Sequence, residues 1–183
     1  MKKGLIILIV CIVVILGLIF GWIGTYNSLV AKNETITQKQ SEIDNQLKRR
    51  ADLIPNLIST VKGLTSQEKA LVDSVTAART KMSTGTTQEK LDANSKLTES
   101  INILVENYPT LKSDTSFLSL MDELAGTENR IAVARKAYND EIGTFNTSIK
   151  TFPTSIVASM SGFSSKAYLE VTEADTVVPN VKF

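Results

Sequence analysis

The chain has 183 residues, with 20 basic and 19 acidic side chains, no His and one Cys. Setting aside Lys2 and Lys3 leaves 18 basic against 19 acidic residues, a balance that argues against a strong electrostatic pull toward nucleic acid. Without His, Ser-His-Asp and Cys-His nucleophile systems and His-based zinc sites are excluded, and a single Cys closes no intrachain disulfide.

In chain order, Met1-Lys2-Lys3 is followed by a charge-free apolar run from Gly4 to Ile23. About twenty helical residues cover the ~30 Å of a bilayer's hydrocarbon core. Trp22 and Tyr26 at the far end suit a headgroup interface. The run is too long for a signal-peptide core, and Gly21-Trp22-Ile23-Gly24 is a poor cleavage site. Cys11 follows Ile9-Val10 in mid-span, which does not suit a lipoprotein signal. Residues 1–24 are therefore expected to form a transmembrane anchor. Lys2 and Lys3 favour a cytoplasmic N-terminus, with the larger part of the chain outside.

The rest reads as all-α. A first long helix continues from the anchor, with Val30, Ile36, Ile43, Leu47, Ile54, Leu57, Ile58 and Val61 as its apolar stripe. Pro55 is expected to kink or break it, and Gly63 to cap it. Thr65 and Glu68 form a capping box for a second helix, with Leu71, Val75, Ala78 and Met82 on one face. After a turn at 83–87, a third helix runs from Gln88 to Asn107 and stops at Tyr108-Pro109. A fourth begins near Ser113-Asp114 and carries Phe117, Met121, Leu124, Ile131, Ala134, Tyr138, Ile142, Phe145, Ile149 and Phe152. Pro153 ends it and opens a short helix that Gly162 closes. The expected architecture is an N-terminal transmembrane helix followed by an antiparallel four-helix bundle with two long helices. Its divisions are the anchor 1–24, the bundle 25–163 and an irregular tail 164–183.

Two polar clusters interrupt the stripes. Between Leu47 and Ile54 the first stripe passes through Arg50, and between Leu124 and Ile131 the fourth passes through Glu128. A charge on an inward face is costly unless paired, so Arg50 or Arg49 is expected to meet Glu128 and set helix register. The wider cluster of Arg49, Arg50, Asp52, Asn56, Glu128, Asn129 and Arg130 has a second reading, a recognition site for a protein or small ligand. Asp122, Glu123 and Glu128 lack the oxygen-rich loop of a cation site and read as a solvated face. A nucleophile with a positioned base is not visible, and no cofactor, metal or catalytic residue is expected. Phe152, Ile156, Met160 and Phe163 form a segment expected either to touch lipid or to cap the bundle.

The same clusters carry a resemblance. Gln46-Leu47-Lys48-Arg49-Arg50, Asp52-Leu53-Ile54-Pro55-Asn56-Leu57 and Gly126-Thr127-Glu128-Asn129-Arg130-Ile131-Ala132 resemble the LemA family of bacterial membrane proteins. Tyr138-Asn139, Phe152-Pro153, Gly162-Phe163, Tyr168 and the closing Val181-Lys182-Phe183 extend the likeness over nearly the whole chain. Ser41 departs from it, standing where such proteins often have Trp. The resemblance implies a single N-terminal span, a long helical bundle and no established catalytic residues. The expected role is a non-enzymatic scaffold or adaptor at the bacterial envelope. Its expected partners are the lipid bilayer, other membrane or envelope proteins and further copies of itself through Gly17 and Gly21. The alternative is a sensor or regulator that binds a ligand or membrane protease beside Arg50 and Glu128.

Overall fold

A computed structural model describes residues 2–61 and 69–170. These form five α-helices and one 3-10 turn, with no strand among the described residues. The helices are α1 (Lys2–Val61), α2 (Lys69–Thr84), α3 (Thr87–Asn107), α4 (Thr115–Lys150) and α5 (Thr154–Met160), with the 3-10 turn at Pro109–Ser113. The expected Gly63 cap, the Thr65–Glu68 capping box and the Val181-Lys182-Phe183 end lie outside the described residues, as does the Leu71 side chain.

The chain divides into two compact units. One comprises Met1–Gln38 with Tyr138–Tyr168, and the other Lys39–Ala137 with Leu169–Phe183. This partition runs through α1 and α4.

α1 is one uninterrupted helix of 60 residues, and Pro55 lies inside it rather than breaking it. Its buried stripe runs through Leu29, Ile36, Ile43, Leu47, Arg50, Ile54, Leu57 and Val61 in steps of seven, four and three, with Ala51 buried beside it. Leu29 takes the inward place expected for Val30, which is exposed. Seven residues are almost two full turns, so the face holding Ile36 and Ile43 also holds Leu29 and leaves Val30 about 100° away. The 4–23 stretch is exposed except at the half-buried Trp22, and it is long and apolar enough to cross a membrane.

In the first unit, Leu29, Ile36, Ile142, Phe145, Ile149 and Ala158 form the core, with Tyr138 and Phe163 packed against it. Partial burial raises the Tyr138 phenol above its usual range. The chain after α5 is held by Asn146 of α4, whose amide donates to the Lys166 carbonyl and accepts from the Lys166 N–H, both at 2.8 Å. This one amide satisfies both the N–H and the C=O of a residue that lies in no helix or strand.

In the second unit, α2 packs on α3 through a link of only Gly85 and Thr86. The link is tight: a Cβ on Gly85 would lie 3.0 Å from the Glu89 Cβ and 3.2 Å from the Lys81 carbonyl oxygen. Thr86 then caps α3. Its hydroxyl accepts from the Glu89 N–H, while the Glu89 carboxylate accepts from the Thr86 N–H at 2.8 Å. Asp114 caps α4 in a related way, accepting from the N–H groups of Ser116 and Phe117. Polar bonds from α1 to α3 advance together along both helices. They run from Gln40 to Thr87, Asp44 to Lys90 and Arg50 to Thr98, so α1 and α3 point the same way.

Two outcomes follow. Leu47 is fully buried, so Leu47→Ala should lower unfolding free energy by about 2–5 kcal/mol in denaturant titrations of the detergent-solubilised chain. The Thr86 bonds hold the Glu89 carboxyl below its usual 4.5, so their contribution is present above that value and is lost as pH falls through the lower folded value. Amide exchange at Thr86, corrected for its intrinsic pH dependence, should therefore accelerate on acidification in the native chain and lose that step in Glu89→Gln.

Candidate functional site

The second unit contains a buried polar centre built by three helices. On α1, the steps from Leu47 through Arg50 to Ile54 place a guanidinium on the apolar face, where it is 3% exposed. α4 supplies Glu128, which forms an ion pair with Arg50. α3 supplies Asn94 and Thr98, one turn apart. The Asn94 amide donates to Glu128 Oε2 at 2.9 Å, and Arg50 donates to Thr98 Oγ1 at 2.8 Å. The Thr98 hydroxyl in turn donates to the Asn94 backbone carbonyl at 3.2 Å. Removal from water pushes the Arg50 guanidinium down to about 10, and Glu128 favours its charged form, so it remains a cation at neutral pH.

Glu128 is less deeply placed than its stripe position suggests, with 33% of its side chain exposed. The fully inward residue of that turn is Thr127, whose hydroxyl donates to the Leu124 carbonyl at 2.8 Å. Both residues are within four positions of Leu124, and the neutral one is less costly to bury because its own helix satisfies it. Asn94 and Thr98 were not among the sequence candidates. The available signal was the same one that marks Arg50, since Asn94 interrupts the α3 stripe between Leu91 and Leu97.

The expected cluster does not stay together. Arg50 and Glu128 turn inward, whereas Asp52 and Asn56 are exposed on α1 away from the pair. Arg49 and Arg130 are also exposed and share a groove of about 320 Å³ with Asp122, Glu123, Ser119 and Gly126. Asn129 lines a separate cleft of about 230 Å³ with Arg50, Thr98, Asn102 and Met121. Two deeply buried polar atoms in this network, Arg50 Nε and Asn94 Oδ1, have no hydrogen-bond partner among the described residues. Among the described residues no group of His, Cys, Asp or Glu side chains is placed to hold a metal ion.

In the first unit, Phe152, Ile156 and Met160 are exposed around α5, whose other face is buried through Val157 and Ala158. Phe163 departs from the expected lipid-facing set. Gly162 adopts φ +77°, Phe163 N–H bonds to the Ala158 carbonyl at 3.0 Å and Gly162 N–H to Ser159. This left-handed cap turns Phe163 back onto the core, 5.9 Å from the Tyr26 ring and 6.1 Å from Phe145.

The described residues define an all-helical protein with one N-terminal helix long and apolar enough to cross a membrane and a buried interhelical ion pair. More specifically, the LemA family model matches residues 39–183, and the chain belongs to the LemA family. It is 26% identical over 164 residues to Protein LemA of Metamycoplasma hominis, covering 86% of this chain and 74% of that protein. It is also 34% identical over 67 residues to Magnetosome protein MamQ 2 of Paramagnetospirillum magneticum, covering 37% of this chain and 25% of that one. Magnetosome protein MamQ of Magnetospirillum gryphiswaldense matches at 33% over 76 residues, covering 41% of this chain and 28% of that one. The chain thus spans about a quarter of each of these two magnetosome proteins, and none of the matches indicates a catalytic family.

The unequal exposure of the ion pair sets an asymmetry. Glu128→Ala strands a buried guanidinium and should cost about 3–5 kcal/mol. Arg50→Met keeps most of the volume and leaves a carboxylate that water reaches, so it should cost clearly less in the same titration. Equal losses would contradict the assignment of Arg50 as the desolvated partner.

Proposed function

We propose that this protein is a single-pass membrane protein of the bacterial envelope whose helices form an antiparallel four-helix bundle and work as a scaffold or adaptor through protein contacts. The apolar 4–23 stretch serves as the span, and Lys2 and Lys3 favour a cytoplasmic N-terminus. The common direction of α1 and α3, with a two-residue link from α2 to α3, supports up-and-down alternation.

The observation that carries the adaptor reading is Gly126. Glycine inside a helix costs about 1 kcal/mol relative to Ala. Among the described residues no neighbour requires it, because a Cβ at Gly126 would meet nothing within 4 Å. It lies in the open groove between the cations Arg49 and Arg130 and the anions Asp122 and Glu123. A partner helix or strand that approaches the α4 backbone would give the glycine a reason, and the mixed charges would set that partner's register.

A second reading has its own support. The cleft beside Arg50, with the unpartnered Arg50 Nε and Asn94 Oδ1, suits a small polar ligand and a sensor or regulator. Full occupancy of such a ligand would raise thermal stability of the purified chain, whereas an adaptor surface would not require it.

The two are separated by Gly126→Ala. The adaptor reading expects a gain of about 0.5–1 kcal/mol in stability together with loss of the partner. Photocrosslinking in intact cells from Ser119 should give one discrete membrane-protein adduct that disappears in Gly126→Ala. An adduct indifferent to that substitution, or none at all, would overturn the groove as the docking surface.

A further inference from the structure

We infer that α5 and its flanks are a second membrane-contacting element, seated in the headgroup layer beside the chain's own span. This rests on the reading of residues 4–23 as that span. Ile156 and Met160 lie one turn apart on α5 and are 49% and 74% exposed, and Phe152 in the turn before α5 is 76% exposed, so an apolar patch is left uncovered. The bilayer is the occupant because packing within the unit fixes where that face lies. Phe163, which follows the end of α5, packs against Tyr26 with the rings tilted by 54°, and Ala158 shares a core with Leu29. Tyr26 and Leu29 follow Ile23, the end of the apolar run, by ~4.5 and ~9 Å of helix. The headgroup region beyond each side of the hydrocarbon is about 5–7 Å deep. Tilt of the span lowers these heights further.

The composition of the segment agrees with that depth. Residues 151–165 contain no charged side chain. Ser and Thr separate the apolar residues, a mixture suited to an interface rather than to the hydrocarbon centre. The exposed Lys150 stands just before the segment and suits contact with anionic lipid phosphates. Phe163, although equally apolar, is excluded from the contact because Gly162 turns it inward.

The test uses the full chain with Cys11→Ser, reconstituted in phosphatidylcholine–phosphatidylglycerol vesicles. An environment-sensitive fluorophore is attached in separate variants at Phe152→Cys, Met160→Cys, Val13→Cys and Val133→Cys. Positions 152 and 160 should emit to the blue of position 133, with about twofold stronger quenching by shallow than by deep nitroxide lipids. Position 13 should show the reverse preference. Quenching at 13 with water-like emission at 152 and 160 would overturn the inference while leaving the span intact. Blue-shifted emission at 152 and 160 without lipid quenching would assign the face to a protein and also overturn it. Loss of quenching at 13 would remove the span, and the inference with it.

Discussion

The structure of the second unit depends on one constraint, that a guanidinium lies on an apolar helix face and must be neutralised there. Arg50 is nearly inaccessible to water, and the energetic cost of that position is several kcal/mol before any partner is counted. Glu128 supplies the charge, and α3 supplies Asn94 for the carboxylate and Thr98 for the guanidinium. The amide of Asn94 has only one workable orientation, because reversing it would set a carbonyl oxygen against the Glu128 carboxylate. The remaining Oδ1 is left without a partner. Each of these contacts joins two different helices, so the four side chains meet only where α1, α3 and α4 bring them to the same level. Replacing a buried ionic set by apolar side chains of similar volume is often neutral or stabilising, so such a set is weak evidence for added stability.

Much of the helical pattern was legible because it follows a single rule. α4 buries Phe117, Leu120, Leu124, Thr127, Ile131, Ala134, Ile142, Phe145 and Ile149, in steps that keep one face toward a core. The α4 start was legible at Ser113-Asp114, where Asp114 caps the helix, whereas the Thr86 cap of α3 lies within the segment read only as a turn. Pro55 was less so. A proline removes one donor from the ladder, but the chain on both sides is held by buried Ile54 and Leu57, and that packing keeps the helix going through it. The choices between neighbours, Leu29 over Val30 and Thr127 over Glu128, depend on about 100° of rotation per residue. They are settled by what each side chain meets rather than by its hydropathy.

The candidate site was legible in part for the same reason. Arg50 and Glu128 stood out as charges in apolar stripes, and they do pair. Their neighbours in sequence, Arg49 and Arg130, were indistinguishable from them by residue type but face a different groove. The division of one sequence cluster into a buried network and an open mixed-charge surface is a property of helical phase. Asn146 shows the limit of pattern reading more sharply. Its role is to complete the hydrogen bonds of the Lys166 peptide twenty positions away, and no periodicity marks such a pairing.

The region around α5 shows how backbone geometry sorts residues that composition treats alike. Phe152 and Phe163 flank the same charge-free segment, yet one is exposed and the other packs on Tyr26 and Phe145. The difference lies at Gly162, whose left-handed conformation lets two N–H groups close the end of α5 and reverses the chain. Any residue with a Cβ would be strained at that φ, so the reversal and the inward Phe163 both depend on the glycine. With Phe163 committed to the core, α5 is fixed against α1 by an aromatic contact three residues past the apolar run. The exposed Phe152, Ile156 and Met160 are then held where they cannot rotate inward without breaking that packing. An apolar face that the fold itself holds open calls for a covering surface, and the surface next to Ile23 is the one in which the apolar helix is proposed to end.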